Sequence, residues 1–166
     1  MVNKTDILDV LKTIPDPEMP ISITDLGLIE HVSMDDSVVH IELLPTFIGC
    51  IALPAIAEEI KRKLGTLEGV SSVEVEFIYD PPWSTDRITD DGRASLAEHG
   101  IAVPAGSSAC CGGKKSTSVE LQTSVIPCPW CGSGETTITS PFGPTRCKSI
   151  HFCNACRHPF ERMKKL

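Results

Sequence analysis

Four cysteines constrain the C-terminal part of this chain more than any other feature of its sequence. Cys128-Pro-Trp-Cys131-Gly132 and Cys153-Asn-Ala-Cys156-Arg157 form two C-x2-C turns with 21 residues between them. Two such turns bring four thiolates tetrahedrally around one ion, at roughly 2.3 Å for zinc. The intervening Thr136-Thr-Ile-Thr139 and Pro141-Phe-Gly-Pro144 suit a strand, a turn and a returning strand. A segment of about 40 residues has too little core to fold alone, so a metal is expected to supply its stability. A closed set of four sulfurs leaves no open coordination position, and the site reads as structural. Zinc is the expected ion, with iron in a rubredoxin-like site as the alternative, because four sulfurs alone do not choose between them. Cys147 breaks the symmetry of the pair. It reads as a replacement ligand, a free thiol or a ligand to a second metal species. His151 and His158 are substitute ligands, but the four paired cysteines are the simpler set.

The charge changes along the chain. Residues 1–105 carry 7 Lys+Arg against 19 Asp+Glu, a net −12, whereas residues 106–166 carry 8 against 3, a net +5. Between the two lies Pro104-Ala-Gly-Ser-Ser-Ala-Cys-Cys-Gly-Gly-Lys-Lys-Ser-Thr-Ser118, rich in Gly and Ser and without hydrophobic periodicity. The expected organisation is therefore a domain over 1–103, a flexible linker over 104–120 and a ribbon over 121–166. Cys110 and Cys111 fall in the linker and read as solvated thiols. With 41% hydrophobic and 22% charged residues the chain is globular. It has no apolar run long enough to cross a membrane, and its charged start, with Lys4, Asp6 and Asp9, lacks the apolar core of a secretory signal. A cytoplasmic location is expected, and in that compartment cysteines serve as ligands or reactive thiols rather than disulfides. The −12 of the first part repels phosphate and few aromatics accompany the basic residues, which argues against a nucleic-acid binder.

The first part reads as a small α+β domain of order α-β-β-α-β-α. Ile7, Leu8, Leu11 and Ile14 have helical spacing, with Thr5 as the expected N-cap and Pro15 ending the run. Alternation from Leu28 to Leu44 about Asp35-Asp36 predicts a β-hairpin. Leu53, Ile56, Ala57, Ile60 and Leu64 make an amphipathic helix stripe, Val73 to Tyr79 alternate as a third strand, and Asp90 to Gly100 give a further short helix.

Cys50 is the chemistry-bearing residue of this part. It lies at the end of Leu44-Pro-Thr-Phe-Ile-Gly49, just before a helix whose first turn holds Pro54. A helix N-terminus stabilises a thiolate, so a lowered thiol pKa is expected unless Cys50 is simply a small buried residue. Gly49 leaves the backbone approachable. Asp16 and Glu18 sit on a loop stiffened by Pro15, Pro17 and Pro20, where carboxylates are commonly turn residues. His31 and His40 have no metal-spaced partner, and Asp25-Leu-Gly27 is too short for a phosphate loop.

Taken together, Asp16-Pro-Glu-Met-Pro20, Asp25-Leu-Gly-Leu28, Pro45-Thr46 with Gly49-Cys50, Gly69-Val70 and Asp80-Pro-Pro-Trp83 resemble the SufT-type iron–sulfur assembly domain. Adding the two cysteine turns, Phe142-Gly143, Cys147-Lys148 and Pro159-Phe160, the chain resembles the PaaD family over nearly its whole length, skipping 106–126. The resemblance implies an accessory or maturation factor of the multicomponent phenylacetyl-CoA 1,2-epoxidase in aerobic phenylacetate degradation. Such a factor assists iron–sulfur or di-iron centre assembly and is not itself an enzyme. A non-catalytic adaptor docking to the oxygenase is the alternative, and a nucleic-acid-binding zinc ribbon is a third. Implied partners are the oxygenase and iron–sulfur reductase components and the iron–sulfur assembly machinery. By the same resemblance Cys50 matches the functional thiol, supported by Asp16, Glu18, Thr46 and Gly49. The implied cofactors are structural Zn2+ and a transient iron–sulfur cluster or iron. One thiolate cannot supply the four ligands of a cluster, so a homodimer or an external thiol would have to complete the shell. Ile51 stands where the wider family has proline, which leaves the Cys50 loop less rigid.

Overall fold

In the computed structural model of the chain, residues 3–104 and 126–164 are described; Cys110, Cys111 and most of the 104–120 segment lie outside them. The first helix, α1 (Lys4–Lys12), starts from Asn3 rather than Thr5. The Asn3 side chain accepts the N–H groups of Thr5 and Asp6 while the Asp6 carboxylate accepts that of Asn3. This reciprocal box satisfies more of the free amide groups than a Thr5 cap would. The hairpin forms as β1 (Ile29–Asp35) and β2 (Val38–Leu43), antiparallel. Helix α2 (Leu53–Leu64) then carries the chain to β3 (Ser72–Phe77), which runs parallel to β2. The strand order is β1-β2-β3. As the central strand, β2 buries Val39, Ile41 and Leu43 against Ile7 and Leu11 of α1 and Ile56, Ile60 and Leu64 of α2. Each such side chain contributes about 1.5–3 kcal/mol on full burial.

Beyond β3 the chain packs back over the hairpin. Trp83 is buried and donates its Nε1–H to the Leu26 carbonyl at 3.0 Å. Arg87 donates to the carbonyls of Gly27 and Ile29. A Cβ on Gly27 would lie 2.5 Å from the Arg87 carbonyl oxygen, and Gly27 has φ +74°. Asp25 accepts from Ser22 and from Thr89, the cap of α3 (Asp90–Glu98). The Asp25-Leu-Gly27 string is thus a packing device that joins two loops.

The second sheet has the order β4-β7-β6-β5, with β4 (Ile101–Ala102), β5 (Thr136–Ser140), β6 (Lys148–Cys153) and β7 (Pro159–Met163). Its first strand comes from the N-terminal part and pairs parallel to β7. Cys147 and Met163 belong to the same hydrophobic cluster as α1 and β2. Lys148 is 5% exposed, pairs with Glu161 at 2.6 Å, and reaches the Glu18 carbonyl at 3.5 Å. The ribbon is therefore seated on the first part through a shared sheet, shared apolar contacts and one buried cation.

Candidate functional site

The ribbon cysteines converge. Cys128 and Cys131 lie in a turn closed by Gly132 N–H donating to the Cys128 carbonyl at 2.8 Å. Cys153 and Cys156 lie in the turn after β6, where Arg157 takes φ +64° and donates to the Cys153 carbonyl. The four sulfurs all lie within 4.8 Å of one another, with Cys128–Cys156 at 3.7 Å and Cys131–Cys153 at 3.6 Å. A tetrahedron with zinc–sulfur bonds of about 2.3 Å has edges of about 3.8 Å, so the donor set fits such an ion. The amide groups of Cys156 and Ala155, aimed at the Cys153 sulfur, pull that thiol down to about 7. Cys147 is not in this group. Neither histidine is: His151 is buried and stacks on Phe160, and His158 Nδ1 lies against the Cys156 carbonyl.

Cys50 occupies a second place. The loop after β2 turns at Gly49, φ +81°, where an added Cβ would meet nothing within 4 Å. The glycine is required by the backbone angle, not by crowding. Cys50 is half-buried, and its Sγ lies 3.9 Å from Glu18 Oε2. Its thiol pKa is raised, not lowered. Burial is the largest cause, the amide of Ala52 opposes it, and the Glu18 and Asp16 carboxylates and Cys147 add to it. The expected thiolate at a helix N-terminus is thus corrected: one amide at that terminus is outweighed by desolvation and by acidic neighbours.

The supporting residues divide. Asp16 Oδ1 accepts the Glu18 N–H at 2.8 Å, so Asp16 shapes the loop and Glu18 faces the thiol. Burial raises the Asp16 carboxyl above its ordinary value. Thr46 lines a neighbouring cavity of about 280 Å3 with Tyr79 and Trp83, while Cys50 lines a different one of about 230 Å3. Only Phe47 borders both. The Cys50 cavity also holds Glu18, Arg146 and Cys147, and Ile51 at its rim is 84% exposed. The ribbon's share of this cavity is invisible to residue spacing; its one sequence signal is a cysteine left over after the two pairs.

Against known proteins, residues 112–164 match the PaaD zinc beta ribbon domain and residues 4–77 match a family described as iron–sulfur cluster assembly protein. An Escherichia coli K12 protein, named as a component of 1,2-phenylacetyl-CoA epoxidase, is 38% identical over 160 residues, covering 96% of this chain and 91% of that one. The chain belongs to the PaaD family. Its N-terminal part is also 35% identical over 94 residues to a Bacillus subtilis Fe-S protein maturation auxiliary factor, covering 56% of this chain and 92% of the relative. Among solved structures, a DUF59 domain of unknown function from Bacillus anthracis superposes with TM-score 0.54 at 29% identity, covering 56% of this chain and 90% of that one. A Thermotoga maritima conserved hypothetical protein gives 0.50 at 32% identity, covering 55% and 91%. The α+β fold, the zinc-ribbon type of the second sheet and the iron–sulfur-assembly type of the first follow from these matches. Among the described residues no helix is long and apolar enough to cross a membrane.

Proposed function

We propose that this PaaD-family chain is a non-catalytic maturation factor for the phenylacetyl-CoA 1,2-epoxidase, passing iron or an iron–sulfur unit to the oxygenase or its reductase through Cys50. The observation that carries this reading is the half-buried Cys50 thiol beside Glu18, in a cavity walled partly by the PaaD ribbon. Assembly-type relatives match the part that holds Cys50, and a PaaD-type ribbon completes the pocket around it. The ribbon ion is zinc, held by Cys128, Cys131, Cys153 and Cys156. Its contribution is to close the fold, and no transfer step passes through it.

The raised thiol pKa fits a carrier. Cys50 keeps its proton while no cation is near, which suppresses oxidation and disulfide exchange. When iron binds, an iron–sulfur bond forms and the S–H bond breaks. The proton goes to water, and the iron keeps its oxidation state. Handing the metal to a client ligand reverses these changes. Ile48 and Ile51, 75% and 84% exposed, flank the loop and give a client an apolar landing edge around the thiol. The test is complementation of a strain lacking this protein, using Cys50→Ser. We expect folded protein with its ribbon metal but no growth on phenylacetate. Growth like wild type would reject transfer through Cys50 and leave docking to the oxygenase as the function.

A further inference from the structure

The ribbon contributes a thiol to the wrong place for a structural zinc site. Cys147 is 5% exposed, stands outside the four-sulfur group, and lines the same cavity as Cys50 and Glu18. A buried free cysteine is ordinarily a small apolar filler. Cys147 sits at the edge of the hydrophobic cluster but also borders polar groups: its Sγ is 3.2 Å from Thr145 Oγ1, and Arg146 and Glu18 share its cavity. Lys148, the next residue, pairs with Glu161 and reaches the Glu18 carbonyl at 3.5 Å, which sets Cys147 beside the loop that aims Glu18 at Cys50.

We propose that Cys50, Cys147 and Glu18 form one ligand set for a single divalent iron ion at the seam between the two sheets. This deepens the maturation reading and rests on it. Two thiolates and a carboxylate suit a first-row divalent ion, and three protein donors leave coordination open for a client's ligand. The same chain supplies the second sulfur, so a second copy is not needed for it. Cys50 Sγ and Glu18 Oε2 are 3.9 Å apart, but with the Cys147 sulfur the three donors do not all lie within 4.8 Å of one another, as the ribbon sulfurs do. Filling the site therefore draws the Cys50 loop toward Cys147, and Gly49, with φ +81° and open space about it, lets that loop turn. Arg146 lines the same cavity and offsets the negative charge of the donor set.

The experiment uses the full chain with its ribbon preloaded with zinc. Fe(II) is titrated under anaerobic conditions, and Co(II) reports thiolate bonding by charge-transfer absorbance. Wild type should take up one further equivalent of either ion and release protons as the thiols bind. Cys147→Ser should keep ribbon zinc and a native circular dichroism spectrum, lose about half of the charge-transfer intensity, and bind at least about tenfold more weakly, as expected for losing a direct donor. Glu18→Gln should weaken binding while keeping that intensity. Absence of the further equivalent in wild type, or unchanged binding by both Cys147→Ser and Glu18→Gln, overturns the shared site. A further equivalent lost in Cys50→Ser but unchanged in Cys147→Ser rejects the shared site while leaving the Cys50 reading standing. A Cys147→Ser strain that fails on phenylacetate, beside a Cys50→Ser strain that grows, overturns both.

Discussion

Replacing Lys148 by Met removes a buried cation of the ribbon, whose ion pair with Glu161 ties β6 to β7. Its Nζ lies 2.6 Å from a Glu161 carboxylate oxygen, with the lysine 5% and the glutamate 28% exposed. Breaking a fully buried pair costs about 3–5 kcal/mol, because one charge is left without a partner. Glu161 retains some contact with water, so the cost of Lys148→Met should fall to about 2–3 kcal/mol. The bond to the Glu18 carbonyl adds little, because 3.5 Å is at the limit of a hydrogen bond. Lys148→Met with Glu161→Met removes both charges and should recover all but about 1 kcal/mol. The assay is urea unfolding of zinc-loaded protein, followed by tryptophan emission. One of the two tryptophans, Trp83, is buried under the hairpin, and the other, Trp130, sits in the ribbon against Gly100. Lys148→Met should separate their transitions, with Trp130 reporting first. Stability within about 0.5 kcal/mol of wild type and coincident transitions would refute the claim that this pair stabilises the ribbon sheet.

Three further outcomes are expected. Alkylation of Cys50 should rise only above the ordinary thiol pKa of 9.0, because burial and the Glu18 and Asp16 carboxylates raise it; Glu18→Gln should shift the profile to lower pH, and rapid alkylation at neutral pH would contradict this. Cys131→Ser should lose the ribbon ion and make residues 126–164 protease-sensitive, since metal binding in so small a module is worth about 10–16 kcal/mol; full metal occupancy with an unchanged digest would contradict it. Asp16→Asn should stabilise the protein at neutral pH while still accepting the Glu18 N–H. Burial raises the Asp16 carboxyl above 3.8, so the wild-type contribution is present at low pH and lost as pH rises through the folded value. The advantage of Asp16→Asn should therefore shrink on acidification, and an advantage that grows there has the wrong sign.

Local patterns were legible where one element carried the whole signal. The two C-x2-C turns, the alternation through Val39, Ile41 and Leu43, and the Ile56, Ile60 and Leu64 stripe each repeat within a few residues, and all three appear in the fold. Strand β4 was not legible, because two residues cannot show a period and their pairing partner lies far along the chain. The third strand stops at Phe77, and Tyr79 turns out to the apolar cavity instead of continuing the alternation. The Cys50 environment failed for a related reason. The helix terminus is a local feature and was visible, whereas Glu18, Asp16 and Cys147 reach the thiol only through tertiary packing. Among the residues grouped with Cys50, Glu18 meets it, Asp16 supports it through the loop, and Thr46 faces the neighbouring cavity.

Transfer of iron from this chain to its client is the central claim, and labelled iron measures it most directly. The zinc-loaded chain is charged anaerobically with radioactive Fe(II), freed of excess metal, and mixed with iron-free epoxidase oxygenase or reductase. The label remaining on each protein is then counted after separation. The expected result is movement of label from the wild-type chain to the client faster than an equal amount of free Fe(II) loads it, and almost none from Cys50→Ser. Equal label in the client with wild type, with Cys50→Ser and with free Fe(II) would contradict delivery through Cys50.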